Sequence, residues 1–456
     1  MKMDSRIALR VELENAISEA GCTLSKLQQI GGSHIGNLSD ILRREGRLRP
    51  ITMKQLDTLT EALDLPEGHY YDLYIAECFF NNRLAVPRMK SFLIRCSELG
   101  KTDLIMKAIH ILVEHPKYTE LLFSVAEELY LNGLVEESLL FYEEVIEEEK
   151  HNESDRLAIS HYRIFRATIG ANAGENYKAV IRFEDFRKKL PEAFQLDALL
   201  QLTNVCLSLG KWNLTEQFAD ELRILATIRY QEELLIKKNK SVTEPLKTER
   251  PLVVYYGQSY LIKAAALFRQ GHYEKTKQYI EGYEDLSWFE ILDEQGKKEV
   301  NNFSLWASAN KYSVELMLGN VSVLDEYANY LSERPNDIPE GLLMITQAAN
   351  AHGFSIDHIL EQFPPESSVE NDINVVRIEH HIEFYYQKGI YELNQQRFTT
   401  GLESILHCLS LSIPTKRHTI SILCAAQFEQ HQNNASDLQR EKFGNLMKEV
   451  LEVEKV

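Results

Sequence analysis

The sequence predicts an all-α protein: a small N-terminal bundle of five short helices, then a long array of paired helices. Glycine (21) and proline (12) are scarce for 456 residues, which favours long helices over many-turned β architecture. Apolar residues recur at spacings of three and four, the period of a helix face. In the longer C-terminal part, turn residues recur with small and apolar residues at fixed offsets, the mark of internal repeats. On this reading the chain divides into residues 1–68, connecting helices at 69–115 and an array at 116–456.

The hydrophobic fraction of 44% and charged fraction of 26% are those of a folded chain, and exclude a mostly disordered or collagen-like one. Basic residues number 50 against 68 acidic, a net charge of −18, so no whole-protein basic footprint for nucleic acid exists. Residues 1–66 hold nine Lys/Arg and nine Asp/Glu, so the entire −18 lies in residues 67–456. Any nucleic-acid contact is therefore expected at the N-terminus. The six cysteines (Cys22, Cys78, Cys96, Cys206, Cys408 and Cys424) have no metal-ligand spacing and read as buried thiols in a reducing compartment. The opening residues MKMDSRIALRVELEN lack the apolar core of a secretion signal. The best apolar stretch, Leu104–Val113, contains Lys107 and His110 and is too short to span a bilayer. A cytoplasmic protein without membrane contact is expected.

The first helix is expected at Ile7–Glu19, with Leu9, Leu13, Ala16 and Ile17 on one face and Gly21 past its end. Thr23 caps a second at Leu24–Ile30, because its hydroxyl accepts from unpaired amides of the first turn. Gly31-Gly32 ends that helix, and Ser33 caps a third running to about Arg43, with Ile35, Leu38, Ile41 and Leu42 inward. Thr52 caps a fourth at Met53–Leu63, and a fifth follows at Tyr70–Phe79.

Two short helices joined by a glycine turn inside such a bundle form the layout of a helix-turn-helix DNA reader. A reading helix needs apolar anchors on one side and short polar groups on the other. Here the outward groups are Ser33, His34, Asn37, Ser39, Asp40 and Arg43. Asn and Arg pair bidentately with adenine and guanine edges, and Ser and His reach bases or phosphates. Flanking phosphate contacts fall to Arg43, Arg44, Arg47, Arg49 and Lys54, against the acids Asp40 and Glu45. The competing reading is a plain helical bundle with a solvated basic loop.

The run GGSHIGNLSDILRREGRLRPITMKQLDTLTEALDLPEGHYYDLYIAECF resembles the Xre/Cro-type helix-turn-helix of Gram-positive regulators. The likeness lies in the "GNLS…IL" third helix, the "KQLD…TEAL" fourth helix and the "YDLY..ECF" exit, over about residues 8–80. Text similar to RMKSFLIRCSELGK extends it to about residue 113. Asp40 departs from the pattern, since many relatives carry a neutral or basic residue there. An acid repels phosphate, so Asp40 must face a base such as cytosine, or solvent.

Beyond residue 113 six units align on a turn residue, with small or apolar residues at +5, +9 and +12. The turns are Gly133, Gly174, Gly210, Gly271, Gly319 and Gln396. Gly133, for example, is followed by Ser138, Tyr142 and Val145, and Gln396 by Gly401, Ile405 and Cys408. Each unit reads as two helices with a small residue where they touch, which is the tetratricopeptide (TPR) pattern. Turn spacings of 41, 36, 61, 48 and 77 exceed the regular period of about 34, so the repeats are degenerate and carry insertions. Gly341–Phe363 reads as part of an extra pair, and residues 237–251 as a loop. The predicted fold is thus a five-helix helix-turn-helix domain followed by a degenerate TPR-like α-solenoid.

Such solenoids enclose a concave surface that takes extended peptides or partner helices. The inward positions of the first helices are Thr168, Asn204, Gln258, Leu261, Ala265, Trp306, Asn310 and Tyr386. Asn and Gln there suit a peptide backbone, although an ordinary packed or solvated role competes at each position. The ten Glu of residues 120–149 read as a solvated helix face, with a basic ligand as the alternative.

No catalytic constellation, nucleotide-binding glycine motif or metal motif emerges, so neither an enzyme nor a cofactor is expected. His380-His381-Ile382-Glu383 lacks HExxH spacing and reads as helix surface and core. The combination of an Xre-type reader and a TPR-like array resembles the peptide-sensing Rap, Rgg, NprR, PlcR and PrgX regulators and the phage arbitrium receptors. The resemblance implies a homodimer on double-stranded DNA, with an oligopeptide ligand whose binding alters dimer geometry, in quorum sensing or a related signalling system. The Rap branch implies a second reading, an adaptor that sequesters a protein partner.

Overall fold

The computed structural model describes residues 5–21, 38–43, 48–80, 83–239, 246–364, 375–415 and 417–453. The described chain is all-α apart from one minimal hairpin. It forms two compact units, Met1–Ala198 and Leu199–Val456.

The first unit opens with α1 (Ser5–Glu19), α2 (Leu38–Leu42), α3 (Met53–Ala62) and α4 (Tyr71–Tyr74). Helix α3 begins as its sequence requires. The Thr52 hydroxyl accepts from the Gln55 amide at 3.3 Å, and the Gln55 side chain accepts from the Thr52 amide at 3.0 Å. This reciprocal capping box satisfies two amides that the first turn leaves unpaired. The expected second helix, with its Thr23 cap, lies outside the described residues. The expected fifth helix is shorter than its apolar pattern suggests. After α4 the chain tightens into a 3₁₀ turn, Ile75–Cys78, and Phe79 is extended. Phe79 and Phe80 (β1) pair antiparallel with Leu84 and Arg83 (β2), and the Ala85 amide donates to Cys78 O at 2.7 Å. Backbone pairing with a later segment thus ends the helix before Phe79.

Helices α5 (Val86–Glu98) and α6 (Thr102–Leu112) follow, then α7 (Tyr118–Leu131) and α8 (Val135–Glu149). One apolar core runs from Leu9 and Leu13 through Leu56, Tyr74 and Phe92 to Leu122 and Val145, continuous across residues 68 and 115. Asp57 joins α3 to its neighbours: Tyr71 Oη donates to it at 2.6 Å and Arg95 Nε at 3.3 Å.

Next come α9 (Asp155–Thr168) and α10 (Ala173–Phe183). Here the expected turn residue Gly174 needs correcting. The Asn172 side chain accepts from the amides of Gly174 (2.9 Å) and Glu175 (3.2 Å), which starts the helix at Ala173. Gly174 therefore sits in the first turn. The bend lies earlier, where Asn176 clamps Gly170 through its amide oxygen (2.9 Å) and nitrogen (2.8 Å). Helix α11 (Glu192–Ser208) crosses the division between the units.

The second unit contains α12 (Trp212–Lys238), α13 (Leu252–Arg269), α14 (Tyr273–Glu284), α15 (Glu294–Met317) and α16 (Leu324–Ser332). It continues with α17 (Ile338–His352), α18 (Asp357–Gln362), α19 (Val375–Asn394), α20 (Phe398–Ser412), α21 (His418–His431) and α22 (Asp437–Val453). Between 338 and 363 the structure has two helices, α17 and α18, joined at Gly353. Residues 237 and 238, expected in a loop, belong to α12. Lys237 Nζ donates to the Glu290 carbonyl at 2.8 Å, and Tyr230 Oη accepts from the Glu290 amide at 3.1 Å, so tertiary bonds brace that end.

The other expected turn residues share one backbone conformation. Gly133, Gly210, Gly271 and Gly319 have φ between 64° and 87°, and Gln396 has φ 58°. The small contact residues follow from packing distance. A Cβ on Gly389 would lie 2.6 Å from Ile405, and one on Gly401 would lie 2.8 Å from Leu393, so α19 and α20 touch through glycine. No helix among the described residues is long and apolar enough to cross a membrane.

Candidate functional site

In the N-terminal bundle, α2 buries Leu38, Ile41 and Leu42 and turns Ser39 and Arg43 outward. Of the assigned DNA-facing residues, Ser39, Asp40, Arg43, Arg49 and Lys54 are described. Ser33, His34, Asn37, Arg44 and Arg47 lie outside the described residues. Arg43, Arg49 and Lys54 are all exposed.

Asp40 faces two of these cations. Its carboxylate lies 3.1 Å from Arg43 Nη2 and 3.9 Å from Arg49 Nη1. These exposed pairs contribute little to stability. Their consequence is electrostatic: they hold two arginines together on one face and offset part of their charge.

The segment carrying Arg49 is positioned from inside the bundle by a pair that sequence reasoning missed. Arg10 on α1 and Glu77 in the 3₁₀ turn form an ion pair with both side chains fully buried. Arg10 also donates to the carbonyls of Arg6 (2.8 Å) and Arg49 (2.7 Å), and Glu77 accepts from the Ile51 amide at 3.2 Å. The Tyr74 hydroxyl donates to Ile51 O at 2.9 Å. Residues 49–51 are thus fixed to α1, to α4 and to the 3₁₀ turn. The available signal was an arginine on the core face of a helix, since Arg10 lies three residues before Leu13 and seven before Ile17.

The assigned peptide positions divide between the units. Thr168, in the first, lines a cavity of about 300 Å³ with His161, Phe165 and Phe183, and its hydroxyl donates to Ile164 O at 2.8 Å. His161 stacks on Phe186 with ring centroids 3.7 Å apart, and burial pushes its pKa down to about 4. In the second unit, Asn204 is exposed on α11, while Gln258, Leu261 and Ala265 are half-buried along α13. Trp306 is exposed on α15, its ring edge-on to Phe303. Asn310 donates to the Tyr283 hydroxyl at 2.8 Å, an intramolecular bond that uses one N–H of its amide.

Tyr386 lies in a groove of about 560 Å³ among α13, α17, α19 and α21. Ile382, Ile420 and Leu423 supply apolar lining, with Gln347, Gln387, Glu383 and Arg269 as polar groups. At one edge Arg417 pairs with Glu379 at 2.6 Å. Gln387 accepts twice from Asn350 Nδ2, through its carbonyl and its side chain, both at 2.9 Å. Glu379, Glu383 and Gln387 follow at intervals of four, which puts them on one face of α19. The sequence reading found Tyr386 but not Gln347, Gln387 or Arg269. Their grouping is a product of helix packing.

His381, in the HHIE run, belongs to a packed aromatic cluster. Tyr385 lies 4.8 Å and His407 6.1 Å from its ring. Burial, and secondarily His407, lower the His381 pKa to about 4. No group of three metal-ligating side chains occurs among the described residues. Cys78, Cys96, Cys206, Cys408 and Cys424 are buried free thiols; Cys22 lies outside the described residues. Compared with known proteins, the chain matches no family model and no curated protein.

Proposed function

We propose that this protein is a cytoplasmic, homodimeric transcriptional regulator that reads DNA with its N-terminal helix-turn-helix and is gated by a short peptide held in a TPR-like α-solenoid. The observation that carries the reading is the exposed group Arg43, Arg49 and Lys54 around an α2 anchored by Leu38, Ile41 and Leu42, in a chain otherwise strongly acidic. Cations flanking a short anchored helix suit phosphates on either side of a reading helix. The resemblance of residues 8–113 to Xre-type regulators supports the same assignment. For the peptide, the support is the groove at Tyr386, where amides and both signs of charge border apolar walls. Peptide control requires unequal affinity for two dimer states.

The test is selection of fragmented genomic DNA on the purified chain, followed by salt-dependent binding to the enriched site. Arg43→Ala with Arg49→Ala should weaken binding and flatten the log–log salt slope by roughly 1.8, about 0.9 for each phosphate that is no longer neutralised. An unchanged slope would remove the assigned face. A second reading, an adaptor that sequesters a protein partner, draws on exposed apolar side chains of the array such as Leu131 and Ile181. It predicts a stoichiometric protein complex and no enriched DNA site.

A further inference from the structure

The groove at Tyr386 lies wholly within the second unit, and its charges are unevenly satisfied. Its lining holds two cations, Arg269 and Arg417, and two anions, Glu379 and Glu383. Arg417 and Glu379 answer one another, 2.6 Å apart. Arg269 is exposed at the end of α13, and Glu383 is half-buried on α19. Neither side chain has an ion-pair or hydrogen-bond partner among the described residues. The two border one groove without meeting. An occupant that brings an anion to Arg269 and a cation to Glu383 pairs both, whereas one of a single sign leaves one of them opposed.

The rest of the lining indicates what joins those two charges. Ile420 is half-buried and Leu423 is 43% exposed, so apolar surface on α21 is left for an apolar side chain. The amides suit a peptide backbone. Asn350 Nδ2 takes both oxygens of Gln387 at 2.9 Å, which fixes that side chain and leaves its NH₂ as a donor. Gln347 and Tyr386 are half-buried, and their polar side-chain atoms have no hydrogen-bond partner among the described residues. A peptide supplies one N–H and one C=O at each residue, which such a set can satisfy. Glu379 and Gln387 stand eight residues apart on α19, about 12 Å along the helix. An extended peptide covers that span with roughly four residues. A groove of about 560 Å³ is in the size range of sites for ligands of that scale.

We propose that the groove at Tyr386 takes a linear peptide of about four residues by its two charges, the free C-terminal carboxylate on Arg269 and a peptide ammonium on Glu383, with an apolar side chain against Ile420 and Leu423. The ammonium is the N-terminus or a lysine side chain. The proposal rests on the peptide-gated reading above and gives that ligand a polarity and a length. A planar guanidinium suits a carboxylate because it can donate two parallel hydrogen bonds.

Retention of a randomised mixture of free-ended tetra- to octapeptides on the full-length protein, read by mass spectrometry, supplies the probe. The best-retained peptide is resynthesised with a C-terminal amide, with an acetylated N-terminus, and with lysine replaced by norleucine, and each form is titrated by calorimetry. Amidation should weaken binding to the wild type at least ~10-fold, as loss of a charged hydrogen bond does, and should make no difference to Arg269→Gln. Either acetylation or loss of lysine should weaken binding to the wild type and not to Glu383→Gln, which tells the terminus from the side chain. Neither position has an internal partner to lose, so both variants should keep the wild-type melting curve. If no peptide is retained, the peptide reading of the groove falls together with this one. If peptides bind but amidation acts equally on the wild type and Arg269→Gln, or Glu383→Gln responds to every change as the wild type does, the charge assignment alone is overturned. Preferential retention of octapeptides overturns the length.

Discussion

Replacing Arg10 by methionine tests whether the buried Arg10–Glu77 pair holds the N-terminal bundle together. The substitution keeps the aliphatic length and removes the charge. It leaves the Glu77 carboxylate fully buried, with the Ile51 amide at 3.2 Å as its remaining described hydrogen-bond donor. It also deprives the carbonyls of Arg6 and Arg49 of their Arg10 donor. Breaking a buried ion pair by removing one partner costs about 3–5 kcal/mol, chiefly because the other charge stays desolvated. Arg10→Met should therefore destabilise the first unit by about 3–5 kcal/mol in urea unfolding. Adding Glu77→Leu removes the stranded carboxylate and should recover most of the loss, since apolar replacement of a whole buried pair is often neutral. The same double variant frees residues 49–51 from α1, so it should bind DNA more weakly than wild type while remaining folded. A cost below about 1 kcal/mol for Arg10→Met, or no recovery in the double variant, would refute the reasoning.

Four further outcomes are expected. Asp40→Asn should raise DNA affinity and steepen its salt dependence in anisotropy titrations, because it releases Arg43 and Arg49 from a competing carboxylate. Gln396→Gly should raise the melting temperature, gaining about 0.5–1 kcal/mol from relief of the left-handed conformation, partly offset by glycine's unfolded-state entropy. Gly282→Ala should cost about 1–3 kcal/mol in denaturant unfolding, because its Cβ would lie 2.1 Å from the Tyr260 ring. His161 and His381, with pKa values lowered to about 4, are neutral in the fold, whereas the unfolded chain protonates them near pH 6.5. Unfolding measured from pH 7 to 4 should therefore show stability falling below about pH 6.5, with a shallower slope in His161→Phe and His381→Phe.

What the sequence determined is what depends on neighbours along the chain. Spacings of three and four set which helix faces are buried, and the described N-terminal helices carry their apolar residues inward as that spacing requires. Thr52 and Gln55 announce the start of α3 because both partners lie within one turn. The turn at Gln396 was legible without a glycine, since Gly401, Ile405 and Cys408 keep the register of the other units. Gly174 shows where that logic fails: an asparagine cap two residues earlier moves the start of the helix, and the glycine goes with it.

Tertiary structure alone decided the features whose partners are remote. Arg10 and Glu77 are separated by 67 residues, and nothing near either marks the other. The sequence left Asp40 facing a base or solvent; the fold sets it between Arg43 and Arg49. Tyr386 could be placed on a helix face, but its groove needs α13, α17 and α21 around it. The end of α12 extends past the expected boundary because Glu290, far along the chain, bonds to Tyr230 and Lys237. Local periodicity fixes which way a side chain points; which group it meets depends on long-range packing, and a periodic pattern carries no information about that.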